Sequence, residues 1–346
     1  MDTILPVLGL LVALAASASR SRAISIPANR FDLADLTDAD CRFKFRFNKQ
    51  QIPELTQLLE VPDPFKTKAR YRATAVEAVC IMLNRLAWPH RLGSMVQTFG
   101  RSREALSSIA NETMLHVHSR FGHLLEWDDA RINREWMQQC ADAIHKHGAP
   151  LKTCIGFIDG TVREICRPGK KIQKAAYNGH KRKHAVKYQA VSMPDGLIVH
   201  LYGPEPGSRH DAYLLARSDL VNKLRGKLQV DDGQRFVIYG DPAYGISDVI
   251  VSGFKGAKLT DDEAEFNRRM SAVRVSVEWG FGIVRNLWTF VDYKGSQKLW
   301  LQAVGVHYSV AVILTNLHTC MKQGNQVSCF FGVKPPTAKD YLHSKS

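Results

Sequence analysis

At Pro150 the hydrophobic period of this chain changes, and the change limits the folds open to it. From Thr67 to about His147 apolar residues recur at intervals of three and four: Ala75, Val76, Val79, Cys80, Leu83 and Leu86, then Met95, Val96 and Phe99, then Leu106, Ile109, Met114, Val117 and Phe121. That is the period of amphipathic helices, and no β-alternation competes with it there. After Pro150 the runs CIGFID, HAVKYQAVSM, LIVHLYG and FVIYGD are short, β-branched and aromatic, and bounded by Gly, Pro and Asp, so they read as four strands. The turn MPDG at 193–196 joins the second and third as a hairpin.

Helices are expected from His210 to about Leu224, from about Asp262 to Trp288, and from Leu299 to about Met321. The middle one repeats Phe266, Met270, Val273, Val277, Phe281 and Val284 at three and four, and the last is apolar enough to pack on the sheet. Strands first and helices around them make a mixed α/β domain over 150–320. A helical region over 66–148 precedes it, and residues 321–346 read as a tail. Residues 1–65 read as an arm and connector, with one short amphipathic stretch at Ile52–Leu59 and the breaker-rich VPDPF at their end.

Within the helical region, VQTFGRSREALSSIANETMLHVHSRF holds a helix, a turn at Gly100, a capping Ser102 and a second helix carrying Arg103 and His116. A helix-turn-helix with its second helix in a major groove has this pattern, and so does a plain helical hairpin packed on the next domain.

At 346 residues, 45% hydrophobic and 23% charged, the chain has the composition of a globular protein and not of a disordered one. Its 47 Lys and Arg against 33 Asp and Glu leave a formal charge of +14, which draws polyanions and makes their binding salt-dependent. Nucleic acid is the natural partner class, the alternative being basic faces with no polyanion partner. The distribution favours nucleic acid: residues 167–187, RPGKKIQKAAYNGHKRKHAVK, hold eight Lys and Arg and no acid. Lys170, Lys171, Lys174, Lys181, Arg182, Lys183 and Lys187, with Arg209 in the later loop, are the candidate phosphate contacts, and Tyr177 and His180 could reach sugars or bases. A solvated basic loop or an import signal around HKRKH would use the same residues.

The seven cysteines are scattered, odd in number and never at zinc-ligand spacing, so they read as reduced core thiols of a nuclear or cytosolic protein. Ile4 to Ala18 has the length and apolarity of a signal-peptide core. However, Asp2 stands where a basic residue belongs, and the first arginines, Arg20 and Arg22, follow the run, which favours an apolar N-terminal helix or an imperfect gene start. No later segment is long and apolar enough to cross a bilayer, and no stable membrane partner is expected.

Four acids stand in apolar or glycine-rich surroundings: Asp159 in FIDGT, Asp211 in SRHDAYLL, Asp241 in VIYGDPAYG and Glu278 in VSVEWGFGIV. An ionised carboxylate against such flanks calls for a cation or a proton. Asp159 and Asp241 end strands, which can aim side chains at one edge, and Gly280 and Gly282 would let the long helix bring Glu278 close to the sheet. Taken singly, Asp159 and Asp241 could be turn formers, Asp211 a helix cap and Glu278 a solvated position, although Val277, Trp279 and Phe281 argue against full exposure of Glu278. Taken together, oxygen ligands without sulfur or clustered imidazole suit Mg²⁺ or Mn²⁺, and two such ions can activate water and stabilise the leaving oxygen of a phosphodiester.

IDGT, YNGHKRKHAVKYQAV, GPEPGSRHDAYLL, GDPAYG and the R-x-x-VEWGFGIVRNLW segment that starts at Arg274 together resemble the ordered motif series of PIF/Harbinger-type DDE transposases and the nucleases derived from them, over roughly residues 150–290. The resemblance implies an RNase H-like fold and a DDE triad of Asp159, Asp241 and Glu278, with Asp211 as a further divalent-metal ligand. Glu278, Phe281, Gly282 and Arg285 keep the order of the last motif, whereas Trp279 and Gly280 depart from the polar residue and alanine more typical there. It also implies DNA as substrate, a nuclear location, a Myb-like partner protein that supplies DNA recognition, and room for a homo-oligomer. The expected activity is metal-dependent DNA cleavage with strand transfer. A domesticated, catalytically silent DNA-binding or scaffold protein is the first alternative, and a secreted or anchored hydrolase the second.

Overall fold

The structure is a computed structural model that describes residues 25–228 and 235–343. The apolar run Ile4–Ala18 lies outside the described residues. Five strands make the main sheet: β1 (Cys154–Glu164), β2 (Lys183–Ser192), β3 (Ile198–Pro206), β4 (Val237–Gly240) and β5 (Ile250–Ser252). They lie in the order β3-β2-β1-β4-β5, with Tyr177–Asn178 adding a short rung on the far side of β2. The pairs β1–β2 and β2–β3 are antiparallel, while β1–β4 and β4–β5 are parallel. This is the RNase H-like mixed sheet that the motif series implies. The fifth strand has no signature in the sequence because three residues show no period.

In β1 every residue from Cys154 to Ile158 is buried, as expected of a central strand covered on both faces. From Asp159 onward burial alternates, with Thr161 and Arg163 buried and Val162 and Glu164 more open. The hairpin between β2 and β3 turns at MPDG as read, with Gly196 at φ +83°, a value that L side chains rarely adopt. Asp195 in that turn is fully buried and accepts from Arg131 at 2.7 Å and from the Leu197 N–H at 3.0 Å.

The helices before the sheet are α1 (Asp38–Phe45), α2 (Gln51–Leu58), α3 (Ala75–Ala87), α4 (Leu92–Phe99), α5 (Arg103–Phe121) and α6 (Arg134–Lys146). Threonine at 74 and serine at 102 cap α3 and α5 with their hydroxyls. Residues 38–59 are not a loose connector: Cys41, Phe45, Phe47, Ile52, Leu55 and Leu59 are buried in the same core as the sheet. The amphipathic stretch Ile52–Leu59 falls on α2, whereas α1 buries only Cys41 and Phe45, too few positions to show a period.

Gly100 ends α4 at φ +59° and Ser102 starts α5, as the sequence suggests. Yet α5 is packed along its length by Leu106, Ile109, Thr113, Met114 and Val117 against α3 and the later helix Val304–Met321. His116 Nε2 lies 3.0 Å from the Leu59 carbonyl. One face of the unit is built into the core, while Arg103, Glu104, Asn111, Leu115, Ser119 and Arg120 stay exposed along the other face of α5.

After the sheet begins come α7 (Lys170–Ala176), α8 (Asp211–Ser218), α9 (Leu220–Leu224), α10 (Asp261–Leu287), α11 (Val304–Met321), α12 (Gln326–Phe331) and α13 (Ala338–His343). Asp219, at φ +54°, splits the helix expected over 210–224 into α8 and α9. Thr260 and Glu263 form a capping box at the start of α10. α11 is buried almost throughout, and its Asn316 side chain exchanges two hydrogen bonds with the backbone of Ile198, at 3.0 and 2.8 Å. The last residues are no free tail: Phe331 stacks on Phe157 at 6.2 Å, and Tyr341 Oη accepts from Asn316 at 3.0 Å.

Candidate active site and nucleic-acid face

Asp159 stands on β1 where burial begins to alternate. Its Oδ1 accepts from the Gly160 N–H at 2.8 Å and its Oδ2 lies 3.4 Å from an Arg274 guanidinium nitrogen. β4 runs parallel to β1 with Gly240 opposite Ile158, so Asp241 leaves its strand beside Asp159. Asp241 then caps the short turn Pro242–Tyr244 by accepting from the Ala243 N–H at 2.8 Å.

Burial lifts Asp159 to about 6; Arg274 and the Gly160 N–H oppose the rise, and the charges of Asp241 and Asp211 add to it. Asp241 and Asp211 are therefore close enough for their charges to act on Asp159.

Asp211 approaches β1 through α8, on the side where Gly160 has no side chain. A Cβ at Gly160 would lie 2.6 Å from Asp211 Oδ1 and 3.5 Å from Tyr244 Oη. Tyr244 is buried with its hydroxyl unpartnered. Its pKa is pushed well up, first by burial and then by Asp211, Asp159 and Asp241. Lys187 of β2, opposite Val162, is buried and places Nζ 2.6 Å from Asp211 Oδ1. Asp211 is no helix cap, since His210 holds that position and the carboxylate is spent on Lys187.

Glu278 is exposed on α10, although apolar residues flank it in sequence. Successive residues on a helix point about 100° apart, so sequence neighbours are not spatial neighbours. Val277 and Phe281 turn into the core, and Trp279 meets Phe330 edge-on at 5.2 Å. Of the two glycines, only Gly280 faces the sheet, where a Cβ would stand 3.4 Å from Ser192 Oγ; Gly282 meets nothing within 4 Å. Trp279 and Gly280, the departures from the motif, thus serve packing against α12 and β2 while the carboxylate stays on the open side.

Two clefts meet at Asp159. The first, about 640 Å³, runs past Glu278, Arg285, Arg163 and Lys183. The second, about 550 Å³, runs past Asp241, Asp211, His180 and Arg209. Gly160, Val162 and Lys181 line both. Among the described residues no three His, Cys, Asp or Glu side chains are gathered closely enough to hold an ion as they stand. The donor chemistry nonetheless fits a hard divalent cation: the acids supply only oxygen, and burial makes the charged Asp159 carboxylate costly in a way that a bound cation would relieve.

Of the basic residues, Lys170, Lys171, Lys174, Lys181, Arg182, Lys183 and Arg209 are exposed and available to a polyanion. Arg209 lies over the Tyr213 ring at 4.4 Å, and Lys183 pairs with Glu164 at 3.1 Å. Lys187 is the exception, buried against Asp211. Sequence reading missed that partnership, and carried Arg274 and Tyr244 only as members of motifs, without a role beside the acids. Arg274 had a signal, being four residues before Glu278 on the same helix. Tyr244 and Lys187 had none, because their neighbours are set by strand register and not by spacing. All seven cysteines are free and five are buried, as read.

Comparison with known proteins agrees with this geometry. Residues 158–316 match the DDE superfamily endonuclease family. The chain is 23% identical over 225 residues to a Protein ALP1-like of Arabidopsis thaliana, an alignment covering 62% of this chain and 54% of that protein. The chain thus spans about half the length of that curated relative. No solved structure matches it. The sheet order, the acids around Asp159 and the match over 158–316 lead to one conclusion: this chain carries a DDE superfamily endonuclease domain.

Proposed function

We propose that the chain is a divalent-metal-dependent DNA endonuclease of transposase type, acting in the nucleus on DNA drawn to its basic face. One observation carries the reading most directly: Asp159, raised to about 6 by burial and by Asp241 and Asp211, lies at the junction of two clefts whose rims carry exposed Lys181 and Lys183. Asp159, Asp241 and Glu278 would hold Mg²⁺ or Mn²⁺, with Asp211 as an additional ligand once Lys187 gives way. Bound there, the ions would polarise the phosphate and lower the pKa of attacking water or of a DNA 3′-hydroxyl. The exposed lysines hold the phosphodiester backbone across the clefts, and Arg274 balances the Asp159 carboxylate before a cation binds. A Myb-like partner would supply sequence recognition.

The test is nicking or joining, in Mg²⁺ or Mn²⁺, of DNA bearing the terminal repeats of the element that encodes the chain. Wild type should act and Asp241→Ala should not; equal activity in both would remove the assignment. A second reading, a catalytically silent DNA-binding protein, is favoured by the engagement of Asp159 with Arg274 and of Asp211 with Lys187. It requires salt-sensitive DNA binding with no cleavage in either metal.

A further inference from the structure

The segment after α10 is firmly held and then exposes two large apolar side chains. The Cys166 N–H, just past β1, donates to the Gln297 carbonyl at 2.9 Å, and the Cys166 thiol donates to the Lys294 carbonyl at 3.1 Å. The buried Gln297 side chain donates to the Phe290 carbonyl at 2.6 Å. Three residues later Trp300, at φ +68°, is 86% exposed, and Leu301 beside it is 78% exposed. A tryptophan so displayed leaves most of a large apolar surface in water, which is unfavourable unless something stacks on it.

Its surroundings say what. Lys294 lies 3.2 Å from Glu164, which Lys183 also contacts, and Glu164 and Lys183 line the first cleft. Lys298 is exposed between the anchor and the tryptophan. Lys294 thus ties this segment to Glu164 on the first cleft, and Lys298 and Trp300 follow, exposed, a few residues along the same segment. Cations that track a backbone beside an aromatic face are the chemistry of unstacked nucleic-acid bases.

We propose that the Trp300–Leu301 turn is a stacking platform for an unpaired base of DNA lying in the first cleft, with Lys294 and Lys298 on its flanking phosphates. The proposal rests on the DNA-binding part of the reading above and not on its cleavage chemistry. It also separates two tasks: the lysines near Asp159 hold duplex of any kind, whereas Trp300 selects an end or a distortion.

The experiment measures binding of full-length protein in EDTA to two fluorescent probes, a blunt duplex and the same duplex with three unpaired nucleotides at one 3′ end. Wild type should prefer the unpaired end by about ten-fold, the scale of one base–aromatic stack. Trp300→Ala should lose that preference while keeping duplex affinity, and Trp300→Phe should retain most of it. A near-ultraviolet spectrum and thermal melt confirm that the variants fold. Equal discrimination by wild type and Trp300→Ala overturns the proposal. So does a wild type that binds duplex without preference, or a Trp300→Ala whose only change is a lost dimer in sedimentation. Failure to bind either probe would remove the DNA reading itself, whereas absence of nicking with the end preference intact leaves this inference standing.

Discussion

The Lys187 ammonium lies 2.6 Å from Asp211 Oδ1, buried between β2 and the start of α8. A residue that belongs by composition to the basic run is thereby a partner of the acid cluster. Only the cluster's remaining acids are left to a cation while that pair holds.

Breaking the pair on one side should be costly, because the other charge stays partly buried. Lys187→Met is expected to destabilise the protein by about 2–4 kcal/mol, and Lys187→Met with Asp211→Leu to recover most of the loss. Chemical denaturation of both variants checks this. Recovery absent from the double variant would mean that Lys187 acts through packing alone.

Asp159 gives a pH dependence of unusual sign. Its folded pKa, about 6, is above its ordinary value of 3.8, so the folded state holds the proton more tightly. Stability is then lost as pH rises from about 4 to about 6 and stays lower above that window. Asp159→Asn should stabilise the protein at pH 7.5 by on the order of 2 kcal/mol and do little at pH 4. Mg²⁺ or Mn²⁺ should raise the melting temperature of wild type at pH 7.5 and leave that of Asp159→Asn nearly unmoved.

Glu278 is exposed, and its replacement by Gln should change stability by less than about 0.5 kcal/mol. Metal-dependent nicking should nonetheless fall by about 100-fold or more. A matched pair of melts and nicking assays separates the two effects, and unchanged nicking removes Glu278 from the triad.

The exposed lysines should titrate with salt while the buried one does not. Replacing Lys171 and Lys181 by Gln should lower the slope of log affinity against log salt by about 0.9 for each phosphate no longer neutralised. Lys187→Met should leave the slope unchanged, in contrast to its effect on stability. Anisotropy titrations over a range of salt concentrations measure both.

Gly160 is where the acid cluster approaches the strand most closely. Gly160→Ala would put a methyl 2.6 Å from Asp211 Oδ1 and should cost about 1–3 kcal/mol, read from the denaturation midpoint.

The sequence by itself determined the α/β class, four of the five strands, the hairpin at MPDG and the four acids with their order along the chain. These are local matters, since the alternation of side chains along CIGFID or the turn at Gly196 depends on residues a few positions apart. Only the tertiary structure decided what each acid meets. The antiparallel register of β1 and β2 put Lys187 within reach of Asp211, the parallel start of β4 put Asp241 beside Asp159, and the turn of α10 put Glu278 on the open side despite its apolar neighbours. Partners separated by tens of residues are chosen by register and helix rotation, and no local pattern carries that information.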